Sequence, residues 1–296
     1  MPLNFPNQNP RLRICSTTTN NLTPTLFLPG GVGDNEFLNQ IPEAKKMFKT
    51  IIFFDLDGTL QLNPFERAVW PVIVGEITQK TGKLGHEIIQ MFEEESATRQ
   101  NDDSIPAVLA MDFDSICTTV AQRLGVSLIN NVSDLVRAHA ATHSTLLEGA
   151  LETLAKLRAP HRALVVATKG LARYQLPVMN ALGLTPYFTS ILSPDSHNGL
   201  KKHRHFFGEW ADYPALRMMV GDLYDDDVLY PGDHGFKTVW KPLPTLVPAD
   251  LHAYDPFTRA QNYPYTAHQN RPADAIILAL RELPALVAYM EQQYNE

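Results

Sequence analysis

The sequence predicts an α/β fold with a separate helical block inserted after its first strand. Three observations carry this. The apolar run IIFF at residues 51–54 stops abruptly at D-L-D-G-T, which reads as a buried strand ending in a polar turn. Two later apolar segments, 163–167 and 218–220, end the same way, at Thr168-Lys169-Gly170 and at Gly221-Asp222. Between the first two of these strands, residues 63–147 show helical spacing with no strand pattern among them. In an open α/β sheet the helices cover both faces, so ligands meet the carboxyl ends of the strands, where these polar turns lie.

Residues 1–49 come first and are rich in Pro, Asn and Thr. They read as an extension. No acidic residue precedes Asp34, and Arg11 and Arg13 stand before a Ser/Thr tract, so a transit peptide is one reading. Two arginines among many prolines favour the other, a surface arm or partly ordered tail.

The first strand then delivers Asp55 and Asp57 to its carboxyl end. A carboxylate can attack an electrophilic phosphorus or carbon and form a covalent intermediate that divides one hard step into two, which makes Asp55 the natural nucleophile. Attack on a phosphate is opposed by like charge, so a divalent cation must neutralise both parties. A cluster of hard carboxylate oxygens suits Mg²⁺. Asp57 is placed to protonate the leaving oxygen and later to activate water. Gly58 allows a positive φ, and Thr59 can hydrogen-bond the turn.

Helices follow. Asn63 as cap and Pro64 at the first helical position open a segment through Val69, Val72, Ile73 and Ile77, closed at Thr81-Gly82. A second helix covers 84–96, where Glu93, Glu94 and Glu95 read as a solvated face. A third spans 105–124 and ends at Gly125, and a fourth follows Ser133. The α/β pattern returns with a helix over 148–157 and the strand 163–167. Its turn, Thr168-Lys169-Gly170, opens a helix from Leu171 that contains Pro177. A hydroxyl and backbone N–H groups at such a turn would hold phosphate oxygens.

A short strand at 189–194 precedes the segment GLKKHRHFFGEW, whose basic residues mostly read as a solvated patch before a helix anchored by aromatics. The strand 218–220 leads to Gly221-Asp222 and then to Asp225, Asp226 and Asp227, four carboxylates that repel one another unless a cation or solvent screens them. Beyond it, 234–241 reads as a strand, 241–271 as a long surface loop, and 271–293 as a terminal helix. The histidines at 139, 143, 203, 205 and 234 read as surface or packing residues.

Composition narrows the possibilities. With 296 residues, 44% of them hydrophobic, the chain has ample material for a core. A formal charge of −7 gives no electrostatic footprint for nucleic acid or an anionic membrane. Cys15 and Cys117 have no metal spacing and suggest neither a disulfide scaffold nor a zinc site, which fits a cytoplasmic setting. No apolar run approaches the length of a membrane span. Nothing in the sequence fixes an oligomeric state.

Taken together, DLDGT, the strand ending at Thr168, the lysines before Phe206-Phe207, and GDLYDDD resemble the four motifs of the haloacid dehalogenase-like (HAD) superfamily, in the family order and over most of residues 50–241. The resemblance implies a Rossmann-like three-layer parallel sheet formed by 50–62 and 148–296, with 63–147 as a helical cap of the C1 type. It implies Asp55 as nucleophile and Asp57 as acid/base, with the Asp57 backbone carbonyl helping to bind Mg²⁺. Thr168, with Lys169 and Gly170 beside it, would bind phosphate. Lys201, with Lys202 as competitor, would neutralise the aspartates and the incoming phosphate. Asp222 and Asp227 would ligate the metal, with Asp226 as the alternative to Asp227 and Asp225 left to solvent.

The expected function is a Mg²⁺-dependent phosphatase for a small phosphorylated metabolite, working through an aspartyl phosphate. Haloacid dehalogenases lack the acid at the position of Asp57 and need no metal. A phosphomutase of the β-phosphoglucomutase type, or a catalytically idle binding protein, are the alternatives. Substrate choice would fall to cap side chains, for which Trp70, Glu94, Arg99, Arg137 and His143 are candidates.

Overall fold

The computed structural model describes residues 47–296, with the side chain of Asn295 excepted. Residues 1–46 of the extension read at 1–49, with its two readings and Cys15, lie outside the described residues, while Phe48 is buried in the core. β1 (Thr50–Phe54) is buried along its whole length, because apolar side chains alternate to two covered faces. Ile51 and Phe53 face a layer containing Phe206, Phe207, Trp210 and Phe236, while Ile52 and Phe54 face Leu154, Met179 and Val287. Phe53 stacks on Phe236 with ring centroids 5.1 Å apart.

β2 (Gln61–Leu62) follows the first turn and pairs antiparallel with β3 (Thr145–Leu146), so the segments that leave and rejoin the sheet run side by side. β4 (Arg162–Ala167), β5 (Ser190–Leu192), β6 (Leu216–Gly221), β7 (Lys237–Trp240) and β8 (Ala275–Ile276) complete a six-stranded sheet in the order β5-β4-β1-β6-β7-β8. Every pairing in it is parallel. The chain builds outward on one side of β1 and then returns to build on the other. The carboxyl ends of β4, β1 and β6 therefore meet at a topological switch point, where no crossing helix fills the crevice.

Five helices lie between β2 and β3: α1 (Trp70–Thr81), α2 (Gly85–Asn101), α3 (Ala107–Ala110), α4 (Phe113–Arg123) and α5 (Val132–His143). They share a core of Ile73, Ile77, Phe92, Ile116 and Val136, which continues into Leu171, Tyr174 and Val178 beside the sheet. Asn63 accepts from the Phe65 N–H at 3.1 Å, but a wide helical turn, Phe65–Val69, precedes α1. Pro71 has no N–H to give to that turn. Gly82, at φ +72°, ends α1 as expected.

The remaining α-helices among the described residues are α6 (Ala150–Leu157), α7 (Ala172–Ala181), α8 (Pro194–His197), α9 (Tyr230–Asp233), α10 (Pro256–Asn262) and α11 (Leu283–Asn295). Among the described residues no helix is long and apolar enough to cross a membrane.

Several sequence expectations are corrected. The single helix over 105–124 is two, because Asp112 leaves the helical path to cap α4, accepting from the Ser115 N–H at 3.0 Å. Glu95 is no solvated face: it is buried between Arg99 at 2.7 Å and Arg123 at 2.6 Å. The helix over 271–293 begins as β8, since the apolar run from Ala275 is buried at the sheet edge and Ile277 donates to the Trp240 carbonyl at 2.9 Å. A short apolar run does not distinguish strand from helix by periodicity. The loop 241–271 contains α10, and Val247, Leu251 and Ala260 bury Trp240 and Ile276. After Lys201 the chain forms tight turns over Arg204–Asp212, broken at Gly208 with φ +52°.

Candidate active site at the switch point of the sheet

The turn after β1 is wound tightly enough that Leu60 N–H donates to the Leu56 carbonyl at 2.8 Å and Gly58 N–H to the Gln61 carbonyl at 2.8 Å. Gly58 sits at φ +85°, and a Cβ there would lie 2.3 Å from Asp222 Oδ2. Only glycine fits both the angle and the approach. Thr59 donates from its hydroxyl to Asp222 Oδ1 at 3.2 Å, so one turn holds a carboxylate that belongs to the end of β6. Gly221 has a similar reason: its Cβ would lie 2.1 Å from Asp227 Cγ.

Asp55, Asp222 and Asp227 each bring a carboxylate oxygen within 4.8 Å of the others. Lys201, 1% exposed, donates from Nζ to Asp55 Oδ1 and to Asp227 Oδ1, both at 2.7 Å. Lys202 turns away to Asp103 at 2.7 Å and the Gln100 carbonyl at 3.1 Å. Asp227 also accepts from the Leu223 N–H at 2.9 Å, whereas Asp226 pairs with Lys169 at 2.9 Å and Asp225 with His268 at 3.2 Å. The two pairs of alternatives thus occupy different places: Lys201 and Asp227 lie in the buried cluster, Asp226 lines the cavity beside it, and Lys202 points away to Asp103.

Asp57 lies outside the group of three. Its carboxylate accepts from Gln175 Nε2 at 2.7 Å and from Gln61 Nε2 at 3.1 Å. Thr168 is buried, and its hydroxyl accepts from the Gly170 N–H at 3.1 Å. A Cβ on Gly170 would meet Gln175 Nε2 at 2.2 Å, so glycine there admits the side chain that holds Asp57. Neither Gln175 nor Gln61 was singled out from the sequence, where no spacing links them to Asp57. Lys241 was missed too: its Nζ donates to the Gly58 carbonyl at 3.1 Å, with its charge beside Asp222.

The electrostatics follow from burial. Burial pushes the Asp222 carboxyl well above its ordinary value, and the charges of Asp55 and Asp227 push it further. Burial likewise raises Asp55, against the opposing pull of Lys201, and raises Asp227 to about 7. Burial works against the Lys201 ammonium, but Asp227 and Asp55 outweigh it and hold it above the ordinary lysine value. Asp57 is raised by burial, only partly offset by its hydrogen bonds from Gln175, Gln61 and Asn63. Three crowded carboxylates facing one ammonium favour a further cation, and an all-oxygen donor set suits Mg²⁺.

A cavity of about 140 Å³ opens beside Asp55, Asp57, Thr168, Lys169, Gly170 and Lys201. Trp70 lines it, and so do Phe65, Glu66, Phe113 and Tyr174, which sequence spacing did not single out for this role. The other cap candidates stand elsewhere. Arg99 is taken up by Glu95, Ser115 and Thr119; Arg137 pairs with Asp134; Glu94 accepts from Gln90; and His143 contacts Thr142.

No protein-family model matches the chain, and no curated protein matches it. Solved structures do. A HAD phosphatase from Thermococcus onnurineus superposes with a TM-score of 0.59 at 21% identity, covering 80% of this chain and 97% of that one. An L-2-haloacid dehalogenase from Xanthobacter autotrophicus, with chloropropionic acid covalently bound, gives 0.53 at 18%, covering 82% and 100%. A candidate HAD-hydrolase from Bacillus subtilis bound to magnesium gives 0.51 at 14%, covering 66% and 89%. At such identities the likeness is one of fold, and the fold of this chain is that of the haloacid dehalogenase-like (HAD) superfamily.

Proposed function

We propose that this protein is a Mg²⁺-dependent phosphomonoester hydrolase that acts through an aspartyl-phosphate intermediate on a small phosphorylated metabolite. The observation that carries the reading is Asp57: a carboxyl whose affinity for its proton is raised by burial, oriented by Gln175 and Gln61, two residues beyond Asp55. A dehalogenase has no use for a proton donor there, because a halide leaves without one.

In the first step an Asp55 oxygen attacks phosphorus, the ester P–O bond breaks, and the leaving oxygen takes the Asp57 proton. In the second, Asp57 takes a proton from water, the hydroxide attacks the same phosphorus, and the bond to Asp55 breaks to release inorganic phosphate. Lys201 offsets the charge of Asp55 throughout, while the Thr168 hydroxyl, which accepts from the Gly170 N–H, has its own proton to donate to a phosphate oxygen. Mg²⁺ would be held by Asp55, Asp222 and Asp227, and when bound it supplies positive charge to the phosphate and the attacking carboxylate. The helical block above the cavity would act as a cap of the C1 type, excluding water from the first step.

The test is phosphate release from a panel of phosphomonoesters, with Mg²⁺ and with chelator, on wild type and on Asp55→Asn. Release that needs Mg²⁺ and is lost in the variant is expected. Equal rates in purified wild type and variant would remove Asp55 as nucleophile. Isomerised sugar phosphate in place of free phosphate would identify a mutase.

A further inference from the structure

The cavity beside Asp55 carries a charge asymmetry. Its lysines are both engaged, Lys169 by Asp226 at 2.9 Å and Lys201 by Asp55 and Asp227 at 2.7 Å. Among the described residues no arginine or histidine lines it. The apolar part of its lining is formed largely by Phe65, Trp70, Met111, Phe113 and Tyr174, and apart from those aspartates and lysines and Asp57 the one charged group lining it among the described residues is Glu66. Glu66 is an exposed residue at this cavity, its carboxylate has no hydrogen-bond or ion-pair partner among the described residues, and the desolvation it does undergo raises its pKa.

A carboxylate or second phosphate on the substrate's alcohol would enter this space without a cation to meet it and with Glu66 opposing it. An ammonium would meet Glu66 and the aromatic side chains of the lining. We propose that the cavity selects phosphomonoesters whose alcohol carries an apolar or aromatic body with an amino group, and rejects those whose alcohol carries a second anion. This selection rests on the phosphomonoesterase reading above.

Three benzyl phosphates test it, substituted at the para position with aminomethyl, methyl or carboxylate, since a remote substituent barely alters the leaving oxygen. With Mg²⁺, wild type is expected to show a kcat/KM for the aminomethyl ester at least about tenfold above that for the carboxylate ester, with the methyl ester between them. Glu66→Gln should shrink that ratio and Glu66→Lys should invert it. A wild-type preference for the carboxylate ester, no preference, or a ratio unmoved by Glu66→Lys would overturn the proposal. Calorimetric binding of the same esters to Asp55→Asn separates the two readings. Binding in the same order with no turnover by wild type would sink the hydrolase and keep the charge selection. Turnover by wild type without that order would keep the hydrolase and sink the charge selection.

Discussion

At the scale of single residues, the site depends on side chains that are right in type and on glycines that let them approach. Asp55 is buried and Asp57 half-buried, and Lys201 contacts the first while two glutamines contact the second, so their environments divide the roles of nucleophile and acid. Asp57→Asn should lower kcat by about 10² to 10⁴ with Mg²⁺ binding retained, checked by steady-state kinetics beside metal titration calorimetry. An unaltered kcat would mean that another group protonates the leaving oxygen. Gly58→Ala should act on the metal instead, because the added methyl collides with Asp222 and the backbone must leave φ +85°. The Mg²⁺ concentration for half-maximal activity should rise about tenfold or more. An unchanged requirement would show that Gly58 does not set the position of Asp222.

At the scale of elements, polar side chains decide where helices begin and how loops are tied to them. Glu76 on α1 is an example: it accepts from Lys80 Nζ at 2.6 Å, from the Ile129 N–H at 2.6 Å and from Asn130 at 2.9 and 3.2 Å. Burial would raise its pKa, but these donors outweigh burial and hold it down to about 2. A carboxyl with a depressed folded value stabilises the protein fully above its unfolded value of about 4.5. That contribution is lost as pH falls through about 2. Glu76→Gln should therefore cost about 1–2 kcal/mol near pH 7, with the gap from wild type closing between pH 4.5 and 2 in urea titrations. A gap independent of pH across that window would show that the carboxylate's charge is not what ties the loop. The split of the helix expected over 105–124 has the same origin, since Asp112 caps α4 and also contacts Arg173 of α7.

At the scale of the whole molecule, the helical block and the sheet share a boundary at Tyr174. Its hydroxyl lies 3.0 Å from the Asp114 N–H, which donates to it, and 3.1 to 3.2 Å from carboxylate oxygens of Asp114 and Asp112. Its ring forms part of the cavity wall. Tyr174→Phe keeps the ring and should lower stability by about 1 kcal/mol, a shift of about 2–4 °C in thermal melts. No shift would mean that solvent satisfies those groups as well as the tyrosine does. The sequence by itself determined the strands that end in Asp55, Thr168 and Asp222 and the residue types at their ends, because a run buried on both faces and a glycine-bearing turn are local and leave local patterns. It left open which of Lys201 and Lys202, and which of Asp227 and Asp226, lies with those ends, since adjacent residues of one type look alike until a backbone turns one inward. Only the tertiary structure brought Gln175 to Asp57, 118 positions away, and Thr59 to Asp222, 163 away. It alone set Glu66 and the aromatic wall around the cavity. Contacts of that kind arise from the strand order and from packing of the helical block on the sheet, and neither leaves a periodic trace along the chain.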